Sequence, residues 1–126
     1  MLTLTAIFIG GGLGSVCRYL ISLFVAERTT GAFPWGTLAV NVVGSFLIGL
    51  IVAAAARHFE ELPEALRLGA AVGFCGGFTT FSTFSMEAVR LLRDGQTATA
   101  LLYAGASVVL SLAGFWLADA AVRAMR

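Results

Sequence analysis

The sequence contains no lysine and few charged residues of any kind. Asp, Glu, Lys and Arg make up only 12% of its 126 residues, about half the ~25% that is typical of a soluble domain. Hydrophobic residues make up 59%, and the mean hydropathy is +0.93. So few charged side chains cannot cover a surface that faces water. The net charge of only +1 argues against nucleic acid as a partner. The composition predicts an integral membrane protein surrounded by a lipid bilayer.

Residues that carry enzyme chemistry are also scarce. The two cysteines, Cys17 and Cys75, fall inside apolar runs without a second cysteine or a histidine at metal-ligand spacing, and such thiols usually pack as small apolar groups. The single histidine, His58, has no Ser or Cys partner nearby in the sequence. The stretch GGGLGS lacks the last glycine of the dinucleotide-binding fingerprint and does not follow a strand. We therefore expect a protein that is not an enzyme.

Four apolar runs are long enough to cross a membrane, for which a helix needs ~20 residues. They cover about 3–25, 36–56, 65–93 and 97–122, and together they predict one all-α domain over residues 1–126. The charged residues cluster outside or near the ends of these runs: Glu27, Arg28; Arg57, His58, Glu60, Glu61, Glu64, Arg67; Arg90, Arg93, Asp94; Asp119, Arg123, Arg126.

The arginines divide evenly between the two sides of the predicted membrane. Four lie towards the side of the termini and four towards the other: Arg57, Arg67, Arg123 and Arg126; Arg18, Arg28, Arg90 and Arg93. An excess of positive charge on the cytoplasmic side normally sets the orientation of a membrane protein. The balance predicts a chain that inserts in both orientations, or one whose weak bias is resolved by lipid or by a partner.

Two of the runs carry polar residues at helical spacing. These rows are Thr37, Asn41 and Ser45, followed by Gly49, and Tyr103, Ser107 and Ser111. Each row occupies one helix face, which must turn away from lipid. Hydroxyl groups in such rows serve either as contacts between helices or as part of a polar pathway. Asn41 favours a pathway, because an amide with two donors and two acceptor sites is costly to bury for packing alone.

The third run is too long and too rich in glycine for one helix. As a continuous helix, 65–93 would measure ~43 Å, against a hydrocarbon core of ~30 Å. Its centre contains Gly73, Gly76, Gly77 and the pair Thr79 and Thr80, which predicts two half-helices with a break at about 75–80. Backbone freed at this depth must line a cavity or an ion site. Freed carbonyls suit a cation, whereas hydroxyl protons and a half-helix N-terminus suit an anion.

Phenylalanines accompany this break. Phe78, Phe81 and Phe84 fall within an arc of about 120° if the helix continues. Because the edge of a phenyl ring is positive, such rings can contact an anion without a full charge. A plain packing stripe explains the same spacing.

Three stretches carry a resemblance to a known family. GGGLGSVCRY (10–19), GTLAVNVVGSFLIG (36–49) and GFCGGFTTFSTFS (73–85) resemble, in order and spacing, the signatures of the Fluc family of fluoride channels, also called CrcB proteins. The departures are small: Ser15 stands where Ala is frequent, and Cys75 and Phe78 where aliphatic residues are frequent. The resemblance implies an antiparallel, dual-topology homodimer in the inner membrane, with two pores through which fluoride leaves the cytoplasm.

The resemblance also implies roles for particular residues. Backbone carbonyls of Gly76 and Thr79 would hold a structural sodium ion at the dimer axis. Arg18 matches the arginine of the first signature, and it either extends to the membrane surface or draws anions into a vestibule. Glu87 matches a carboxylate of the family, as a rim or structural group. The implied pore residues are Asn41, Phe81, Phe84, Ser82 and Thr83, with Tyr103, Ser107 and Ser111 from the last helix.

Two other classes compete with a channel. A small dual-topology, proton-coupled exporter needs a carboxylate near the midplane, and Glu87 is the only acidic residue away from the loops. A purely structural assembly protein would explain the glycines. It would not explain a buried Asn41 or a broken helix.

Overall fold

The computed structural model describes residues 1–57 and 61–125, and its regular secondary structure over these residues is entirely helical. The predicted loop charges His58 and Glu60 and the C-terminal Arg126 lie outside the described residues. The helices, in chain order, are α1 (Leu2–Ala26), α2 (Trp35–Arg57), α3 (Glu64–Leu68), a π-helical segment (Gly69–Cys75), α4 (Gly76–Phe78), α5 (Phe81–Arg93) and α6 (Thr97–Ala124).

Among the described helices, α1, α2 and α6 have the length and apolar composition needed to span a bilayer. The run between α2 and α6 is divided instead. The helices α3 and α4 and the π-helical segment follow one another without a gap from Glu64 to Phe78, and α5 begins only at Phe81. Residues 64–93 are called the third segment below.

The helix α1 packs against the first half of the third segment through glycines. A Cβ on Gly69 would lie 3.1 Å from the Ala6 side chain, and a Cβ on Gly77 would lie 3.0 Å from Gly11 Cα. The order of these contacts shows that the two stretches run in the same direction. Such close approach of backbones is typical of helix pairs in membranes, where small residues allow tight van der Waals packing.

The helices α2 and α6 form the second closely packed pair. A Cβ on Gly114 would lie 3.3 Å from the Val42 carbonyl oxygen. Further along both helices, the Arg57 guanidinium donates hydrogen bonds to the carbonyl oxygens of Val122 and Met125. Arg57 thereby supplies donors to carbonyls at the C-terminal end of α6, where helical N–H donors run out, and Val122 O also accepts from the Met125 N–H at 3.3 Å.

A tight turn joins α5 to α6. Gly95 has a φ of 73°, a left-handed conformation that glycine adopts without steric cost. The turn brings α6 back against α5, where Leu38, Leu91, Ala100 and Tyr103 form a buried cluster. This cluster fixes the position of α5 relative to α2 and α6.

Candidate functional site

The third segment is interrupted at two extended residues. Thr79 has φ −82° and ψ 160°, and Thr80 has φ −153° and ψ 114°. The break therefore lies at the C-terminal end of the predicted interval 75–80. The Thr83 N–H donates to Thr80 Oγ1 at 3.1 Å, so Thr80 is the N-cap of α5. The π-helical turn before the break was not predicted from the sequence.

Asn41, on α2, binds the backbone at the break. The Thr80 N–H donates to Asn41 Oδ1 at 2.8 Å, and Asn41 Nδ2 donates to the Thr80 carbonyl oxygen at 3.0 Å. One side chain thus satisfies both backbone groups of an extended residue. An amide carries two N–H donors, so one Asn41 hydrogen remains for another acceptor.

The break deprives carbonyls of the preceding turn of their usual helical donors, among them those of Gly76 and Thr79. In a continuous α-helix the Thr80 N–H would donate to Gly76 O, and the Thr83 N–H would donate to Thr79 O. Here these two N–H groups donate to Asn41 and to the Thr80 hydroxyl instead. Gly76 and Thr79 are the residues for which the family resemblance implied backbone ligands.

A groove of about 450 Å³ lies beside the break. Its walls come from α2, from the third segment on both sides of the break, and from α6. Seven of the residues predicted as site residues line the groove: Asn41, Gly76, Thr79, Phe81, Phe84, Ser107 and Ser111.

The two polar rows converge on this groove. Asn41 and Ser45 reach it from α2, and Ser107 and Ser111 reach it from α6. Ser107 is only 8% exposed, and its hydroxyl has no hydrogen-bond partner among the described residues. A buried hydroxyl without a partner loses its solvation, so the Ser107 O–H is available to an acceptor in the groove.

Phe81 and Phe84 form a pair of rings at the groove. Their centroids lie 5.3 Å apart, with 38° between the ring planes. The Phe84 ring also contacts Tyr103, with centroids 5.1 Å apart. Phe81 is 79% exposed, which leaves most of its ring uncovered by this chain.

The single phenylalanine stripe expected from the sequence is wrong. Phe78 is buried and stacks on Phe74, with ring centroids 5.7 Å apart and planes within 10°. Because Thr79 and Thr80 are extended, the helical spacing that would place Phe78 beside Phe81 does not apply across the break.

Ser82 and Thr83 do not line the groove but belong to a hydroxyl cluster at the start of α5. Thr80 Oγ1 donates to Thr83 Oγ1 at 3.0 Å and lies 3.2 Å from Ser82 Oγ. Thr80 is the centre of this cluster, and sequence reasoning did not select it as a site residue. Its position immediately before a half-helix, where Thr is a favoured cap, was the available signal.

A second polar contact joins three elements near α5. Glu87 accepts a hydrogen bond from the Thr37 hydroxyl at 3.0 Å and another from the Tyr103 hydroxyl at 2.7 Å. Thr37 is 5% exposed and Tyr103 is 0% exposed, so the carboxylate is held from within the helix packing. Both donors begin the polar rows on their helices, but that spacing does not reveal that Glu87 is their common acceptor.

Arg18 is separate from these groups. It lies on α1, is half-buried, and makes no hydrogen bond or ion pair with a residue that the structure describes. It does not line the groove.

These features define the class of the molecule: an all-helical protein whose apolar helices enclose a groove at a broken segment. The sequence matches the family described as CrcB-like protein, Camphor Resistance (CrcB), over residues 5–118. The chain belongs to this family, as the resemblance of its three signature stretches predicted, and it is a multi-pass membrane protein.

Relatives resemble the chain along almost its whole length. It is 52% identical over 123 residues to a fluoride-specific ion channel FluC from Geobacter sulfurreducens, with 98% of each chain covered. It is 50% identical over 117 residues to a protein of the same name from Geobacter metallireducens, covering 93% of this chain and 94% of the relative. A Rhizobium meliloti protein of that name is 48% identical over 116 residues, covering 92% of each. These relatives are named as ion channels, in agreement with the expectation that the chain is not an enzyme.

Proposed function

We propose that this protein is a passive, fluoride-selective channel through which fluoride leaves the cytoplasm across the inner membrane, lowering its toxicity. The observation that carries the proposal is the groove at the break, where hydrogen-bond donors and phenyl rings meet. The relatives are named fluoride-specific ion channels, which supports fluoride as the ion. Fluoride enters cells as neutral HF and is trapped as the anion at the higher cytoplasmic pH, so a passive path outward suffices.

The groove offers donors without a full positive charge. Fluoride is small and tightly hydrated, and a pore must replace its water with other donors. The remaining Asn41 hydrogen and the Ser107 hydroxyl supply such donors, and the edges of Phe81 and Phe84 add weak positive character. For conduction the ion must also leave the pore, and neutral dipoles bind an anion more weakly than a buried arginine would.

We propose that two copies of the chain complete the channel as an antiparallel homodimer with two pores. The balanced arginines support insertion in both orientations. Phe81 is largely uncovered, and a Cβ on Gly76 would have no atom of another helix within 4 Å, so this face has room for a second copy. In this assembly the third segment also crosses the membrane, with the break at its centre, so that each chain crosses four times.

A structural sodium ion fits the freed carbonyls at the break. Gly76 O and Thr79 O have lost their helical donors, and both residues line the groove. Carbonyl oxygens can replace the hydration shell of an alkali cation. In the proposed dimer, the carbonyl oxygens of Gly76 and Thr79 from each copy would hold the ion. Its positive charge would offset the repulsion between carbonyl dipoles that face one another.

Fluoride efflux from liposomes tests the proposal. Liposomes that contain the protein and potassium fluoride would be diluted into fluoride-free medium, and external fluoride followed with a selective electrode after valinomycin is added. We expect rapid fluoride efflux and little chloride efflux from matched chloride-loaded liposomes. Retention of fluoride by folded, dimeric protein would contradict the proposed function.

The proton-coupled exporter remains the second candidate because Glu87 is a partly buried carboxylate within a helix. Such a carboxylate must exchange protons with water during transport. Here both oxygens of Glu87 accept hydrogen bonds from hydroxyl groups, which favours a fixed structural acceptor.

A Glu87→Gln variant separates the two candidates. Gln retains one acceptor oxygen, so one of the two hydroxyls loses its partner, at a cost of ~1–3 kcal/mol in the free energy of unfolding. We expect lower stability, with fluoride flux that is insensitive to an imposed pH gradient in both proteins. Wild-type flux driven by the pH gradient, and abolished in the variant, would favour the exporter.

A further inference from the structure

Thr80 has two possible acceptors for its backbone N–H. One is Gly76 O, four residues earlier, which would continue the helix. The other is Asn41 Oδ1, on a different helix, which accepts the bond at 2.8 Å. Thr80 is buried, and a buried N–H without an acceptor is costly. The two acceptors therefore compete, and an N–H that leaves Asn41 has Gly76 O as its nearest helical alternative.

We infer that Asn41 is the positioning residue that keeps the third segment open and thereby leaves the Gly76 carbonyl free to bind a cation. Asn41 also donates to the Thr80 carbonyl at 3.0 Å, so it fixes both polar groups of the extended residue. The inference rests on the proposed sodium site and gives Asn41 a role beyond contact with the anion.

This arrangement links the cation site to the anion path through one side chain. Oδ1 and one Nδ2 hydrogen of Asn41 hold Thr80, and the second Nδ2 hydrogen is left for the groove. A side chain held by two hydrogen bonds has a fixed orientation, so its third polar position is fixed as well. Loss of the Asn41 amide should then affect cation binding even where no fluoride is present.

Nuclear magnetic resonance on the full-length protein in lipid nanodiscs tests the inference without measuring transport. Two signals are followed as sodium replaces choline: the ¹³C shift of the Gly76 carbonyl and the hydrogen exchange of the Thr80 amide. The variants are Asn41→Leu, which has a similar volume and no hydrogen bonds, and Asn41→Asp, which keeps an acceptor for the Thr80 N–H. The matched control is Ser45→Ala, one turn further along α2 and also at the groove.

In the wild type and in Ser45→Ala, we expect a protected Thr80 amide and a Gly76 shift that saturates with sodium. In Asn41→Leu, the sodium concentration at half-maximal shift should rise about tenfold, which corresponds to loss of one to two hydrogen bonds. In Asn41→Asp, Thr80 protection should return towards the wild-type level. A merely structural role for Asn41 would not move the sodium midpoint of a folded variant.

The outcomes separate this inference from the proposed function. A wild-type Gly76 signal that ignores sodium would overturn the proposed cation site and the role of Asn41 towards it. A normal wild-type response with the same sodium midpoint in Asn41→Leu would overturn the inference alone. If Asn41→Leu does not fold, hydrogen exchange of the Thr80 amide decides. Fast exchange in the wild type would overturn the inference. Slow exchange in both the wild type and Asn41→Asp would support it.

Discussion

The two halves of the third segment are held in place by opposite means. Residues 64–78 lie against α1 through glycines, so closely that an added Cβ on Gly73 would lie 2.7 Å from the Ile7 carbonyl oxygen. The helix α5 is instead positioned by side chains: the Thr80 cap, the rings around Tyr103, and the hydrogen bonds to Glu87.

This difference explains why the groove lies at the junction of the halves. The first half has no space for side chains on its α1 face and is fixed by backbone packing. The second half carries Phe81 and Phe84, whose rings line the groove, and its first turn carries the hydroxyls of Ser82 and Thr83. Within the third segment, backbone groups are freed where these two modes of support meet, and there Asn41 binds the N–H and the carbonyl of Thr80.

The largest expected effect concerns the glycine contact of the first half. A Cβ added by Gly14→Ala would lie 2.8 Å from the Phe78 nitrogen and even closer to the Phe74 carbonyl oxygen. Because backbone must shift to relieve this overlap, we expect the free energy of unfolding to fall by about 3 kcal/mol. Unfolding in detergent, followed by circular dichroism, measures the change.

Gly12→Ala is the matched control on the same helix, since its added Cβ would have no atom of another helix within 4 Å. We expect it to leave stability almost unchanged. Equal destabilisation by the two substitutions would show that backbone contact with the first half is not what holds α1.

An intermediate effect is expected at the exposed ring of the second half. Phe81→Ile removes the ring edge but keeps an apolar side chain, so fluoride flux should fall roughly tenfold, the equivalent of one aromatic contact, while the protein stays folded. The control is Phe8→Ile, since Phe8 is similarly exposed on α1 and outside the groove. Flux that is unchanged in Phe81→Ile, or lowered equally in both, would remove Phe81 from the pathway.

The smallest effect is expected at the cap of α5. Thr80→Val keeps the side-chain shape but removes the acceptor of the Thr83 N–H, so the free energy of unfolding should fall by about 1 kcal/mol. Thr79→Val removes only a hydroxyl that donates back to the Cys75 carbonyl at 2.9 Å, and such bonds contribute little. Equal stability losses for Thr80→Val and Thr79→Val in thermal unfolding would show that the Thr80 cap does not stabilise α5.

The sequence predicted the break because its signals are local. Glycines at 73, 76 and 77 and the two threonines weaken a helix wherever they occur. The polar rows were also predictable, since helical spacing alone places Asn41 with Ser45 and Ser107 with Ser111.

The π-helical turn and the partners of Asn41 depend on contacts between distant residues. Residues 69–75 adopt wider turns while packed on α1, and composition does not distinguish a π-helix from an α-helix. The Asn41 amide meets the backbone of Thr80 only because α2 lies beside the break. The contact of Glu87 with Thr37 and Tyr103 joins residues from three elements, which periodicity on one helix cannot reveal.

The reversal potential of fluoride currents in a planar bilayer tests the central claim most directly. Fluoride gradients would be imposed with and without an opposing pH gradient, at fixed chloride. A passive channel predicts a reversal potential of about 59 mV per tenfold fluoride gradient for a single charge, unchanged by the pH gradient. A reversal potential that moves with the pH gradient, or that follows chloride, would contradict the account.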